Sequence, residues 1–155
     1  HHVNTALDRV GEAAAEAARE SERAPIVVAV TVLTSFGPDE LARIGVSRGL
    51  PEQVEALGEL ATTCGLDGIV ASPLEVSRLR ARLGPVPTIV TPGIRGGVGG
   101  KATGGDDQVR TLSAAEALSA GSSYLVVGRP IIASPDPLEA ARALGRQMAH
   151  TPSPT

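Results

Sequence analysis

Four short β-branched runs, each followed by residues at helical spacing, constrain this chain more than any other feature. They are Ile26–Leu33, Asp67–Ala71, Thr88–Thr91 and Tyr124–Val127. Strands that alternate with helices are joined by crossovers, so the fold class is α/β with a parallel sheet. Ile26-Val-Val-Ala-Val-Thr-Val-Leu33 is continuously apolar apart from one threonine, as expected of a strand buried on both faces. Apolar residues at helical spacing predict helices over Val3–Glu22 and Pro51–Thr63, through Leu79 and Leu83 to Gly84, and onward from Asp136 through Met148. Shorter helices are expected after Gly37-Pro38 and after Ser113. Ser72-Pro-Leu-Glu75 and Ser113-Ala-Ala-Glu116 both read as capping boxes, in which a serine caps the helix and a glutamate reaches back from the third helical position. Residues 151–155, Thr-Pro-Ser-Pro-Thr, read as a disordered tail.

Two arginines follow two successive strands. Thr88–Thr91 opens into Pro92-Gly93-Ile94-Arg95, and Tyr124–Val127 into Gly128-Arg129-Pro130. Parallel strands joined through a helix point the same way, so Arg95 and Arg129 are expected at one edge of the sheet, beside main chain that glycine leaves uncovered. Planar guanidinium groups pair well with phosphate oxygens, so this edge reads as a phosphate site. A single Gly-Arg pair carries little weight, because glycine ends many such strands for turn reasons alone. Two of them flanking a loop that runs from Gly96 to Asp107 carry more, since connections in α/β units are ordinarily about 2–6 residues long.

Composition removes several function classes. The chain has 155 residues, 42% hydrophobic and 20% charged, with a net charge of −3 and only Phe36 and Tyr124 as aromatics. Neither a basic face nor a stacking platform for bases is present, so no nucleic-acid partner is expected. No apolar run reaches the roughly 18 residues that span a bilayer, and no signal peptide is seen, so the expectation is a cytoplasmic protein without membrane contact. Cys64 is the only cysteine, which excludes an internal disulfide and a thiolate metal cluster. Its place at a helix end favours a core residue over a nucleophile. No metal site is expected.

Four strands are half of what a (β/α)8 barrel requires, and the chain falls well short of the roughly 250 residues typical of one. A small, complete doubly wound domain is the weaker alternative, because Ile26–Leu33 carries no edge-protecting proline or charge. The motifs Val30-Thr-Val-Leu-Thr-Ser35, Cys64-Gly-Leu-Asp-Gly-Ile-Val70, Val90-Thr-Pro-Gly-Ile-Arg95, Asp106-Asp-Gln108 and Val127-Gly-Arg-Pro130 occur in order across most of the chain. In sequence and spacing they resemble the orotidine 5′-phosphate decarboxylases. The resemblance implies a TIM barrel, residues 1–150 supplying about its last four βα units. It implies a homodimeric enzyme that converts orotidine 5′-monophosphate to UMP and CO2 without metal or organic cofactor.

Residue by residue, the resemblance implies that Thr34 contacts the pyrimidine or ribose side of the nucleotide, with Ser35 beside it. Arg95 and Arg129 become phosphate ligands, Gly128 offers a backbone N–H, and Gln108 ends a loop that closes over the nucleotide. The substrate-binding set is therefore Thr34, Arg95, Gln108, Gly128 and Arg129. The chain departs from the family in its chemistry. The family's catalytic lysine and its Asp-x-Lys-x-x-Asp motif are absent, and the one lysine, Lys101, lies in the glycine-rich loop. No catalytic residue is assigned. A related sugar-phosphate lyase, such as 3-keto-gulonate-6-phosphate decarboxylase, fits Thr34, Gln108 and the long loop less well. A non-catalytic phosphate-binding half-barrel is the third reading. The 155-residue chain alone is expected not to decarboxylate orotidine monophosphate; turnover above the uncatalysed rate, followed by product formation, would overturn the assignment of chemistry to residues outside it.

Overall fold

The computed structural model describes residues 2–22, 24–95 and 112–149. Along the chain the elements are α1 (His2–Arg19), β1 (Val28–Val30), α2 (Pro38–Arg43), α3 (Leu50–Thr63), β2 (Gly68–Val70), α4 (Val76–Leu83), β3 (Thr88–Thr91), α5 (Ala114–Ser119), β4 (Tyr124–Leu125), α6 (Arg129–Ile132) and α7 (Pro137–Ala149). The four strands make one sheet in the order β1-β2-β3-β4, and every pairing is parallel, as the alternation predicts.

Register sorts the side chains into rows. Ala29, Ile69 and Ile89 are register partners, and so are Val30, Val70, Val90 and Tyr124. Alternate residues on a strand face opposite sides, so the two rows lie on opposite faces. Ile69 and Ile89 are fully buried and pack in the larger core with Leu41, Leu50, Val54, Ala61, Val76 and Leu79 from α2, α3 and α4. The other row ends in Val30 and Tyr124, which are 58% and 57% exposed. Ile26–Leu33 is thus not buried on both faces as its apolar run predicts. β1 is an edge strand with three residues in the ladder, and among the described residues helices cover only one of its sides.

Helix boundaries follow local chemistry. α3 packs against α4 across Gly58, where a Cβ would come within 3.1 Å of Leu79 and Leu83. Outside that contact Arg78 pairs with Glu55 at 2.6 Å and with Glu52 at 3.4 Å, while Arg82 pairs with Glu59. These pairs are exposed to solvent, so they add little to stability. At α5 the predicted capping box is present: Ser113 Oγ accepts from Glu116 N–H at 3.3 Å, and Glu116 Oε2 accepts from Ser113 N–H at 2.9 Å. Asp136 Oδ1 likewise accepts from Glu139 N–H at 2.9 Å at the start of α7.

The box predicted at Ser72–Glu75 is absent. α4 begins only at Val76, and Ser72 makes a turn instead, its Oγ accepting from Leu74 N–H and its carbonyl from Glu75 N–H. Ser72, Pro73 and Glu75 are buried in that turn, so the glutamate does not reach back as a cap. β4 is also shorter than Tyr124–Val127, because the chain turns at Gly128 into α6, a helix of four residues that the sequence reading did not include.

Gly68 sits where β2 passes β3 most closely. A Cβ there would lie far inside van der Waals contact with the Thr88 carbonyl oxygen. Gly68→Ala is therefore expected to destabilise the fold by about 2–3 kcal/mol or more, the usual cost of forcing an atom into a packed, paired position. Urea unfolding with an unchanged midpoint would contradict this account of the ladder.

Candidate functional site

In a parallel sheet all C-terminal strand ends share one edge, and register decides which residues reach it together. Thr91 and Leu125 are partners across β3 and β4. Arg95 and Arg129 each lie four residues beyond them, so the two arginines leave the sheet at matched positions on neighbouring strands. Thr34 follows β1, and Ser72 follows β2, at the same edge.

The route to Arg95 is fixed by backbone geometry. Gly93 has φ of +79°, a left-handed conformation that a side chain disfavours, and it turns the chain out of β3. Ile94 is then buried in the smaller core with Ala114, Ala117 and Leu144. Arg95 follows, half-buried, with its N–H donating to the Leu112 carbonyl at 2.9 Å. Ile94 and Leu112 form a parallel bridge, so the long connection leaves and returns at the same point. Lys101, Asp106, Asp107 and Gln108 lie outside the described residues.

Arg129 is reached differently. Val126 N–H donates to the Thr91 carbonyl at 2.9 Å, Val127 packs on the smaller core, and Gly128 releases the chain into α6. The Gly128 carbonyl accepts from Ile131 and Ile132 N–H, which holds that turn. A Cβ built on Gly128 meets no described atom within 4 Å, and its φ of −111° is open to any residue. Crowding among the described residues does not call for glycine there. Arg129, the first residue of α6, is exposed.

Thr34 sits in a turn closed by Phe36 N–H donating to the Leu33 carbonyl at 2.9 Å. It is largely buried, whereas its neighbour Ser35 is exposed. Sequence reasoning missed two polar residues at the same edge, Ser72 and Glu75, both buried just beyond β2. Their signal is a serine and a proline close after an apolar strand, a pattern that also reads as helix capping. Cys64 is buried, and its thiol is pushed up by that burial and secondarily by Asp8 and Glu12, so it stays protonated at neutral pH as a core residue. Among the described residues no group of three or more His, Cys, Asp or Glu side chains is arranged to hold a metal ion, and no helix is long and apolar enough to cross a membrane.

Comparison with known proteins identifies the family. The family model for "Orotidine 5'-phosphate decarboxylase / HUMPS family" matches residues 4–144. This chain belongs to that family. It is 47% identical over 136 residues to the orotidine 5'-phosphate decarboxylase of Moorella thermoacetica, a match covering 86% of this chain and 52% of the relative. The orotidine 5'-phosphate decarboxylase of Neisseria meningitidis (serogroup C) is 46% identical over 138 residues, covering 89% and 55%. Among solved structures, an uncharacterized conserved protein from Geobacillus kaustophilus superposes with a TM-score of 0.70 at 31% identity, covering 91% of this chain and 59% of that one. The orotidine 5'-phosphate decarboxylase of Lactobacillus acidophilus gives 0.68 at 34%, covering 83% and 51%. The family fold is a TIM barrel, and the four-stranded parallel sheet is part of one. The chain spans about half the length of the curated relatives it matches.

The α5 capping box anchors the return of the long connection beside Arg95, and it titrates. Hydrogen bonds from the Ser113 hydroxyl and then from the Ser113 N–H hold the Glu116 carboxyl below its usual value. A carboxylate with a depressed folded-state pKa stabilises the fold above its unfolded pKa of about 4.3 and loses that contribution as pH falls through the folded value. Glu116→Ala is therefore expected to lower the melting temperature at neutral pH, with the gap to the parent chain closing below about pH 4. A gap that is constant down to the acid limit would rule out the ionised cap.

Proposed function

We propose that this chain is the phosphate-binding part of an orotidine 5′-phosphate decarboxylase, supplying the second half of its barrel. Matched strand exits carry the proposal: Arg95 and Arg129 leave β3 and β4 at equivalent offsets from the Thr91–Leu125 pair. Two guanidinium groups at one sheet edge give a phosphate dianion planar, charge-assisted donors from two directions. Gly128 adds an open stretch of main chain on which an oxygen can approach without meeting a side chain. Thr34, in its turn at the end of β1, would serve the ribose or pyrimidine side of the nucleotide, and Gln108 would close on the phosphate from the long connection.

The reaction assigned to the complete enzyme is loss of CO2 from orotidine monophosphate to leave UMP, a step of pyrimidine biosynthesis. It requires a proton donor for the carbanion formed at C6, and a fixed ammonium group is the natural choice. The only lysine in this sequence is Lys101, so the donor and the charged array around the carboxylate belong to the part of the barrel that this chain does not span. Here the contribution is binding energy. A gripped phosphate holds the ring in place and lets binding at one end of the substrate lower the barrier at the other. No metal or organic cofactor enters this scheme, and the complete enzyme is taken to be a cytoplasmic homodimer. Relatives named as orotidine 5'-phosphate decarboxylase at 46–47% identity favour this reading over a sugar-phosphate lyase.

The test is a comparison of UMP with uridine, titrated against the chain and followed by amide chemical shifts. UMP is expected to bind with the larger affinity, and Arg129→Ala to weaken UMP by about 1.5–3 kcal/mol while leaving uridine nearly unchanged. Equal affinity for nucleotide and nucleoside, or equal losses on substitution, would refute the phosphate assignment.

A further inference from the structure

At the opposite edge of the sheet, where β3 and β4 begin, one side chain collects an unusual set of acceptors. Arg80 of α4 donates through Nε to the Gly121 carbonyl at 2.8 Å. One terminal nitrogen donates to the carbonyls of Gly84, Pro85 and Pro87 at 3.2, 3.3 and 2.7 Å, and the other donates to Ser123 Oγ at 2.9 Å. That hydroxyl in turn accepts from Ile89 N–H at 3.1 Å, while Ser123 N–H donates to the Ile89 carbonyl at 2.8 Å. The guanidinium thus bridges the end of α4, the segment leading into β3, the end of α5 and the segment leading into β4. Partial burial pushes its pKa down, yet guanidinium stays charged at any physiological pH. Gly121 adapts to it: φ is +107°, and a Cβ there would come within 2.8 Å of Arg80 Cγ.

β4 needs such help. It is an edge strand with two residues in the ladder, and β3 is its only partner strand among the described residues. Along it, Ser123 N–H and Val126 N–H donate to Ile89 and Thr91 carbonyls, and Gly128 and Arg129 follow immediately. The neighbouring arginines of α4 do different work, since Arg78 and Arg82 reach only exposed carboxylates on α3.

We propose that Arg80 is a positioning residue for the phosphate site: by tying the starts of β3 and β4 together, it sets where Arg129 emerges relative to Arg95. It touches no ligand. The proposal rests on the phosphate reading above and adds to it the element that holds the two arginines in register.

Two measurements on the 155-residue chain test it, each on Arg80→Met, on Arg80→Lys, which keeps the charge and loses the fork, and on the controls Arg78→Met and Arg82→Met. The first is amide hydrogen exchange. In the Arg80 variants the Ser123 and Val126 N–H groups are expected to exchange about tenfold faster or more, while the Thr31 N–H bonded to Val70 keeps its rate; the controls change neither. The second is the ratio of UMP to uridine affinity, expected to fall about tenfold in the Arg80 variants and to stay fixed in the controls. A merely structural role predicts faster exchange across the sheet with an unchanged ratio in the folded fraction, and that result overturns the proposal. So does unchanged protection at Val126. If the parent chain itself fails to prefer UMP, the phosphate reading falls, whereas selective exchange at β4 still identifies Arg80 as what holds that strand. Should Arg80→Met fail to fold, Arg80→Lys decides by the same two readouts.

Discussion

Parallel pairing of β3 with β4 is the constraint from which the rest of the molecule follows. Parallel strands cannot be joined by a tight turn, so each must be followed by a helix that carries the chain back. The return forces every strand to end at the same edge, and the pairing of Thr91 with Leu125 sets Arg95 and Arg129 at the same sequence offset beyond it. A slip of one residue would turn every side chain of β4 to the other face and send Arg129 elsewhere. With so short a ladder, the pairing cannot hold itself, and the five donor contacts of Arg80 at the far edge compensate. On the two proposals above, holding and binding are divided between the two edges of one sheet.

The packing is divided in the same way. The larger core joins β1, β2 and β3 to α2, α3 and α4, and it fully buries Ile69, Leu79 and Ile89. The smaller one, Ile94, Ala114, Ala117 and Leu144 with Leu125, Val127, Ile131 and Met148 against it, lies under the two arginine exits. Two fully buried alanines bring α5 close, but they add little apolar area, and hydrophobic stabilisation scales with area. The edge proposed to bind phosphate therefore stands on the cluster with fewer large apolar side chains, capped by Ser113 and Glu116.

What could be read from the sequence was whatever local periodicity and strand order dictate. The helices at 3–22, 51–63 and 136–148 and the parallel order follow from apolar spacing and alternation, and the structure agrees to within a few residues. The errors came where tertiary context outweighed local pattern. Ile26–Leu33 is apolar but for Thr31, yet Ile26, Val30 and Leu33 are exposed, and a sequence pattern cannot tell a bare apolar face from a buried one. Ser72–Glu75 has the letters of a capping box, yet burial of Ser72, Pro73 and Glu75 makes it a turn and delays α4 to Val76. Arg80 was not legible, because four of its five acceptors are backbone carbonyls, at residues 84, 85, 87 and 121, and a carbonyl leaves no mark on residue identity.

The bare row of Val30, Val70, Val90 and Tyr124 bears on why binding and chemistry are separable here. It crosses the sheet on the face opposite the helices, and in a barrel that face is the interior, filled by side chains from strands all round the ring. Catalytic groups in such a fold come from the ends of several strands, so removing half the ring removes whichever groups those strands carried. The exits of two adjacent strands survive that removal, because the pairing and packing that set them lie within β3, β4 and the helices α4 to α7. A proton donor acting on the far side of the substrate does not survive it, since a group must be held to within a fraction of an ångström to act and this chain has only Lys101 to offer. Under the function proposed above, this chain would supply binding of the nucleotide's ionic end, and the chemistry at the other end would fall to strands it does not include.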